Sequence, residues 1–156
     1  MTRRIESISI RPPRQHSDFL RKVTGRPGAE NSEVVFNSYF DALIFASIIG
    51  FEAGKREESS RTGDQIDPIE FSQMTSNKYF ETLISTFAVL NNKNDHTCLS
   101  GAKAEDRIRM FEEYACAGLT ILRKELVELN IPNGEIRGFV ENRIVNQISS
   151  FQENAE

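Results

Sequence analysis

The residues able to do chemistry in this 156-residue chain are few and scattered. It holds two histidines and two cysteines, and of these only His96 and Cys98 lie close in sequence. A tetrahedral metal site takes four ligands, or three and a water. The other candidates, His16 and Cys116, are far apart and follow no ligand spacing, so the sequence assigns neither a metal nor a cofactor. Cys116 reads as a small core residue and not as a nucleophile. Glu112 and Glu113 are neighbours on a predicted helix, where adjacent side chains point about 100° apart. They read as surface groups. Asp41 and Glu52 flank an apolar stretch, with Lys55 or Arg56 as ion-pair partners. The segment Thr24-Gly25-Arg26-Pro27-Gly28 has two glycines, but no Lys-Ser/Thr follows and no buried strand precedes. It fails both phosphate-loop patterns and reads as a turn. Without an organised nucleophile, base and oxyanion site, no catalytic residue is assigned and the chain is expected not to be an enzyme.

Charge is the second source of chemistry. The formal net charge is −4, yet residues 1–28 carry seven Lys/Arg against two acids, while the remainder carries twelve against twenty-one. A basic arm on an acidic body could meet phosphate. It could equally fold against its own body or against a neighbouring subunit. The candidate nucleic-acid contacts are Arg3, Arg4, Arg11, Arg14, Arg21 and Lys22, joined by Lys55, Arg56 and Arg61.

These residues need elements to hold them. A chain of this length fits one domain, residues 1–156. It can bury roughly 68–70% of its unfolded surface without a disulfide or metal. Residues 1–13 read as an extended basic arm or short strand, with Ile5, Ile8 and Ile10 in partial alternation. A short helix from about Arg14 to Thr24 turns Phe19, Leu20 and Val23 inward. Ser38 to Arg56 reads as a helix apolar on nearly every face, capped by Ser38 and stopped at Gly54. Gly50 within it invites close approach by another helix. Gln65 to Phe71 alternates as an edge strand, restricted by Pro68. Ser76 is taken as the N-cap of a helix with Tyr79, Phe80, Leu83, Ile84, Phe87 and Ala88 in its stripe. Residues 92–103 form a polar loop. The helix from about Ala104 to Leu129 repeats apolar residues from Ile108 to Leu129, with Tyr114 and Ile121 as a second edge. A last helix spans about Glu135 to Phe151, and residues 152–156 are a frayed tail. The fold class is therefore mainly α: one compact helical domain of about five helices with one or two short strands.

Location follows from what is missing. Two cysteines make no disulfide scaffold, and no apolar run follows Met-Thr-Arg-Arg to mark a secretory signal. The most apolar stretch, Tyr39 to Phe51, falls short of the roughly 20 residues that span a bilayer. A cytoplasmic protein with reduced thiols and no membrane partner is expected.

Three segments carry a resemblance. They are Arg3-Arg4-Ile5 followed by Arg11-Pro12-Pro13; the stretch from Phe40 to Arg56, ending Gly50-Phe51-x-x-Gly54-Lys55-Arg56; and Ile108 to Leu122, containing Phe111-Glu112-Glu113-Tyr114-Ala115-x-x-Gly118-Leu119. Together they resemble the family called DNA phosphorothioation-associated protein 4, or Dnd system-associated protein 4. The resemblance implies a place beside bacterial systems that replace a non-bridging phosphate oxygen of DNA with sulfur, and beside the associated restriction machinery. It brings no catalytic residue. What it implies is a non-catalytic accessory protein whose partners are other proteins of a modification–restriction system, with self-association also open. A DNA-binding accessory acting through the basic N-terminal segment is the alternative, and an undetected enzyme is a second one.

Overall fold

The computed structural model describes residues 8–25, 34–92 and 96–155, without the side chains of residues 96, 133, 147, 148 and 150–155. Six α-helices run through the described residues: α1 (Ser17–Val23), α2 (Tyr39–Ala53), α3 (Phe71–Thr75), α4 (Phe80–Asn92), α5 (Ala104–Glu128) and α6 (Ile136–Ala155). The mainly helical expectation holds.

Helix α2 starts where its cap chemistry dictates. The Asp41 N–H donates to Ser38 Oγ at 3.1 Å, satisfying one of the orphan donors of the first turn. It ends at Gly54, whose φ of 65° is the left-handed conformation that glycine adopts without strain. The N–H of Lys55 then reaches back to the Gly50 carbonyl at 3.0 Å. Between these ends the helix packs chiefly against α5.

The crossing of α2 and α5 is set by two glycines. A Cβ on Gly50 would overlap the Tyr114 carbonyl, and one on Gly118 would overlap the Ala46 carbonyl. Each helix thus lends a bare backbone patch to the other, and the two axes approach more closely than side chains would allow. Around this contact Phe111, Leu43, Ala46, Ala115 and Leu119 are all but sealed from solvent. Aromatic rings complete the core at both ends. Phe80 meets Phe40 and Phe111 edge-on, while Phe51, Phe87 and Tyr114 form a second cluster. The Tyr114 hydroxyl is satisfied by Asn91 Oδ1 at 3.0 Å.

Several sequence expectations are corrected. Among the described residues the two extended segments meet as one bridge pair, Ile10 with Ile69, through hydrogen bonds of 3.0 and 2.8 Å. Residues 5–7 of the proposed first strand lie outside the described residues. Phe71 does not end a strand but begins α3, because Gln73 Oε1 accepts the Glu70 N–H and closes a helical first turn. Ser76 is accordingly the C-cap of α3 and not the N-cap of the next helix. Tyr79 points outward, as does Leu129 at the end of the α5 stripe. The polar loop after α4 holds two 3₁₀ turns, His96–Leu99 and Gly101–Lys103. Arg107 Nη1 pins them by donating to the Cys98 and Ser100 carbonyls, both at 2.8 Å. Helix α6 continues to Ala155. Its first turns seat Ile136 and Val140 in the core, and Arg143 pairs with Glu125 on α5.

Candidate functional site

The face of α5 away from the Gly118 contact receives two segments: the arm before α1 and the loop that leaves α2. The arm stays extended through Pro13 and then winds one 3₁₀ turn, Arg14–His16, before α1. That turn delivers Gln15 and His16 onto α5. The exit loop is pinned by the Glu57 N–H, which donates to the Glu113 carbonyl at 3.1 Å. Glu57 thereby comes to lie beside Cys116 and Thr120.

The result is a polar cluster at the edge of the core. Arg123 Nη1 donates to His16 Nδ1 at 3.0 Å. A guanidinium has only donors, so Nδ1 accepts and the ring proton sits on Nε2. From there it is donated to Thr120 Oγ1 at 3.0 Å, and Thr120 donates onward to Glu57 Oε2 at 2.8 Å. Gln15 closes the other side. Its Oε1 accepts the Ser60 N–H at 2.7 Å, which fixes the amide orientation and turns Nε2 toward Cys116 Sγ (3.0 Å) and Glu57 Oε1 (3.3 Å).

This cluster brings together His16 and Cys116, which the sequence keeps a hundred positions apart. His16, Glu57 and Cys116 each place a potential ligand atom within 4.8 Å of the others. Their surroundings suit hydrogen bonding better than a cation. The Gln15 amide and the Thr120 hydroxyl occupy the centre, and the Arg123 charge presses on the far ring nitrogen, where a metal-bound histidine wants an acceptor. Burial, reinforced by Arg123, lowers the His16 pKa to about 4. Burial, reinforced by Glu57, raises that of Cys116 to about 12. At neutral pH the pair is a neutral imidazole and an intact thiol, the opposite of an activated nucleophile and its base. His96, the other histidine, has no described side chain, and Cys98 is buried within the 3₁₀ turn His96–Leu99.

The basic residues separate into two groups. Arg3 and Arg4 lie outside the described residues. Arg14, Arg21 and Arg56 are turned onto the molecule itself. Arg14 donates to the Arg61 carbonyl (3.1 Å) and to Gln65 Oε1 (2.9 Å). Arg21 pairs with Asp64 at 3.1 Å and Asp18 at 3.6 Å. Arg56 pairs with Glu113 at 3.2 Å and covers the Tyr114 ring. Lys22 is engaged as well. Arg11, Lys55 and Arg61 remain exposed.

Arg11, Arg14 and Arg61 converge on one groove of about 550 Å³ between the arm, the exit loop and α5, where Arg109 joins them. Its floor carries Glu112 and Glu113, so neither is the plain surface group the sequence suggested. The Arg11 N–H donates to Glu112 Oε2 at 2.6 Å. Burial raises the Glu112 pKa even against that bond. Arg56, offered with Lys55 as a partner for Asp41 or Glu52, is paired with Glu113, because Gly54 turns the chain back along α5. Sequence reasoning missed Gln15, Glu57, Thr120, Arg109 and Arg123 as parts of one surface. No spacing signal marks them, since each bond joins segments remote in the chain.

Fold and surface together define a small helical protein held on one crossed helix pair, with its polar residues largely used to fix an arm and a loop on the longer helix. The two halves of that crossing, Gly50 to Arg56 and Phe111 to Leu119, are also the segments that carry the family resemblance. Residues 9–153 match the family described as DNA sulphur modification system-associated protein 4, and the chain belongs to that family. No curated protein and no solved structure is significantly similar to it. Among the described residues no helix is long and apolar enough to cross a membrane.

Proposed function

We propose that this protein is a non-catalytic accessory component of its DNA sulphur modification system, acting in the cytoplasm by docking on other protein components. The observation that supports this reading is the fate of the basic residues. A DNA-binding arm would hold its cations outward; here Arg14, Arg21 and Arg56 are turned onto the chain's own carbonyls, amide and carboxylates. The acidic body beneath would repel a phosphate backbone. What the molecule offers a partner is a shaped, mixed-charge surface on a rigid crossed pair.

Affinity capture of the tagged chain from its native host, at native expression level, tests the reading. Components of the modification or associated restriction machinery should be recovered in stoichiometric amounts. Recovery of the chain alone would refute it. Exposure of Arg11, Lys55 and Arg61 favours a second reading, direct contact with DNA. A mobility shift on plain or phosphorothioated duplex that weakens steeply with salt would establish that alternative; the accessory reading expects no shift at low salt.

A further inference from the structure

The groove between arm, exit loop and α5 treats its two charge signs differently. Arg11, Arg61 and Arg109 are exposed on its walls. Among the described residues neither the Arg11 nor the Arg61 guanidinium closes an ion pair, and Arg109 has a loose contact with Asp106 at 3.8 Å between two exposed groups, while the Arg11 and Arg109 charges act on Glu112 without a direct pair. The carboxylates on the floor are already held: Glu112 accepts from the arm backbone, and Glu113 accepts from Arg56. Glu58 stays exposed at the rim.

The occupant must answer both signs. A DNA backbone presents acceptors alone, and would bring phosphates against Glu58, Glu112 and Glu113. A polypeptide carries backbone N–H donors together with its side chains, so it can face carboxylates and guanidiniums at once. We propose that this groove docks an extended acidic segment of a partner protein, whose Asp and Glu carboxylates meet Arg11, Arg61 and Arg109. Guanidinium–carboxylate contacts of this kind are charge-assisted and can be two-pronged, which fixes register as well as affinity. The proposal rests on the accessory reading above and names the surface it uses.

Fluorescence anisotropy with a labelled peptide of alternating glutamate and serine tests it at low ionic strength. The whole chain should bind the peptide, and R11E/R61E/R109E should weaken binding by about tenfold or more. K124E/R137E, which reverses exposed charges outside the groove, should bind as the parent does. A short plain duplex should bind more weakly than the peptide. Equal binding by the triple variant, tighter binding of the duplex, or no peptide binding at all would each overturn the proposal. If charge reversal unfolds the chain, R11Q/R61Q/R109Q removes the same cations more gently and decides the matter. The two levels separate in the host. A partner still captured by the triple variant sinks the groove and leaves the accessory reading intact. No partner on the parent chain sinks the accessory reading, while the peptide titration still rules on the groove.

Discussion

Helix α5 is held from two sides in unlike ways. Toward α2 the contact is backbone against backbone, with Gly50 and Gly118 each facing a carbonyl of the other helix. Toward the arm and the exit loop it is a chain of hydrogen bonds running Arg123, His16, Thr120, Glu57. The dry contact depends on shape alone and has no room to adjust. The polar contact depends on every donor finding its acceptor, and a bond lost at its exposed edge can be replaced by water. The crossing thus carries the fold, and the clasp decides where the arm, and with it the groove, comes to rest.

The sharpest way to break this contrast is to add atoms to the crossing. Gly118→Val must push the helices apart, and overpacking against backbone costs about 3 kcal/mol or more. Gly50→Ala should cost somewhat less. Urea unfolding reads both. If Gly118→Val stays within about 0.5 kcal/mol of the parent, the typical range of a neutral surface change, the helices are not in backbone contact and the division of roles collapses.

The clasp answers to pH instead. An unfolded histidine titrates near 6.5, whereas His16 in the folded chain is held at about 4 by burial and by Arg123. The unfolded state therefore takes the proton first. The stabilisation is complete above pH 6.5 and is lost as pH falls from 6.5 toward 4, by up to about 3 kcal/mol. Comparison of unfolding free energies across that window for the parent and for His16→Gln isolates the contribution from that of the carboxylates. Parallel pH curves for the two proteins would show that His16 does not sit in the clasp.

The same contrast explains what was legible in the sequence. Ser38 and Gly54 act within a few residues of themselves, so their types alone gave the start and the end of α2, whereas Gly50 signalled a close approach without naming Tyr114 as what approaches. Apolar spacing likewise placed Phe19, Leu20 and Val23 in the core, and all three are buried. Local rules failed where two of them compete. Gln65 to Phe71 alternates like a strand, but the reach of Gln73 back to the Glu70 N–H starts a helix first. Ser76 has the chemistry of a cap, and the end it caps depends on that preceding turn. The clasp was invisible for another reason: Gln15 and Cys116 are 101 positions apart, as are Arg11 and Glu112. Nothing periodic connects them. The arm's charge was legible, but its direction was not, because whether a guanidinium faces solvent or the chain's own carbonyls is settled only by tertiary placement.

Adjacent cations where α2 ends give the finest test of that last point. Lys55 and Arg56 leave the helix together, yet Arg56 lies over the Tyr114 ring and against Glu113, while Lys55 is exposed. The Arg56 side chain is 39% exposed, so solvent screens its ion pair, and exposed pairs contribute at most about 1 kcal/mol. Its hydrocarbon stem and the cation over the ring add a comparable amount. Arg56→Ala should therefore destabilise the chain by about 1–2 kcal/mol, and Lys55→Ala by less than about 0.5 kcal/mol. Arg56→Lys separates the contributions: it keeps the charge but lacks the planar fork, and should recover only part of the loss. If the two alanine variants unfold alike, Arg56 is a solvated cation like its neighbour, and the exit loop is held to α5 by Glu57 and the clasp alone.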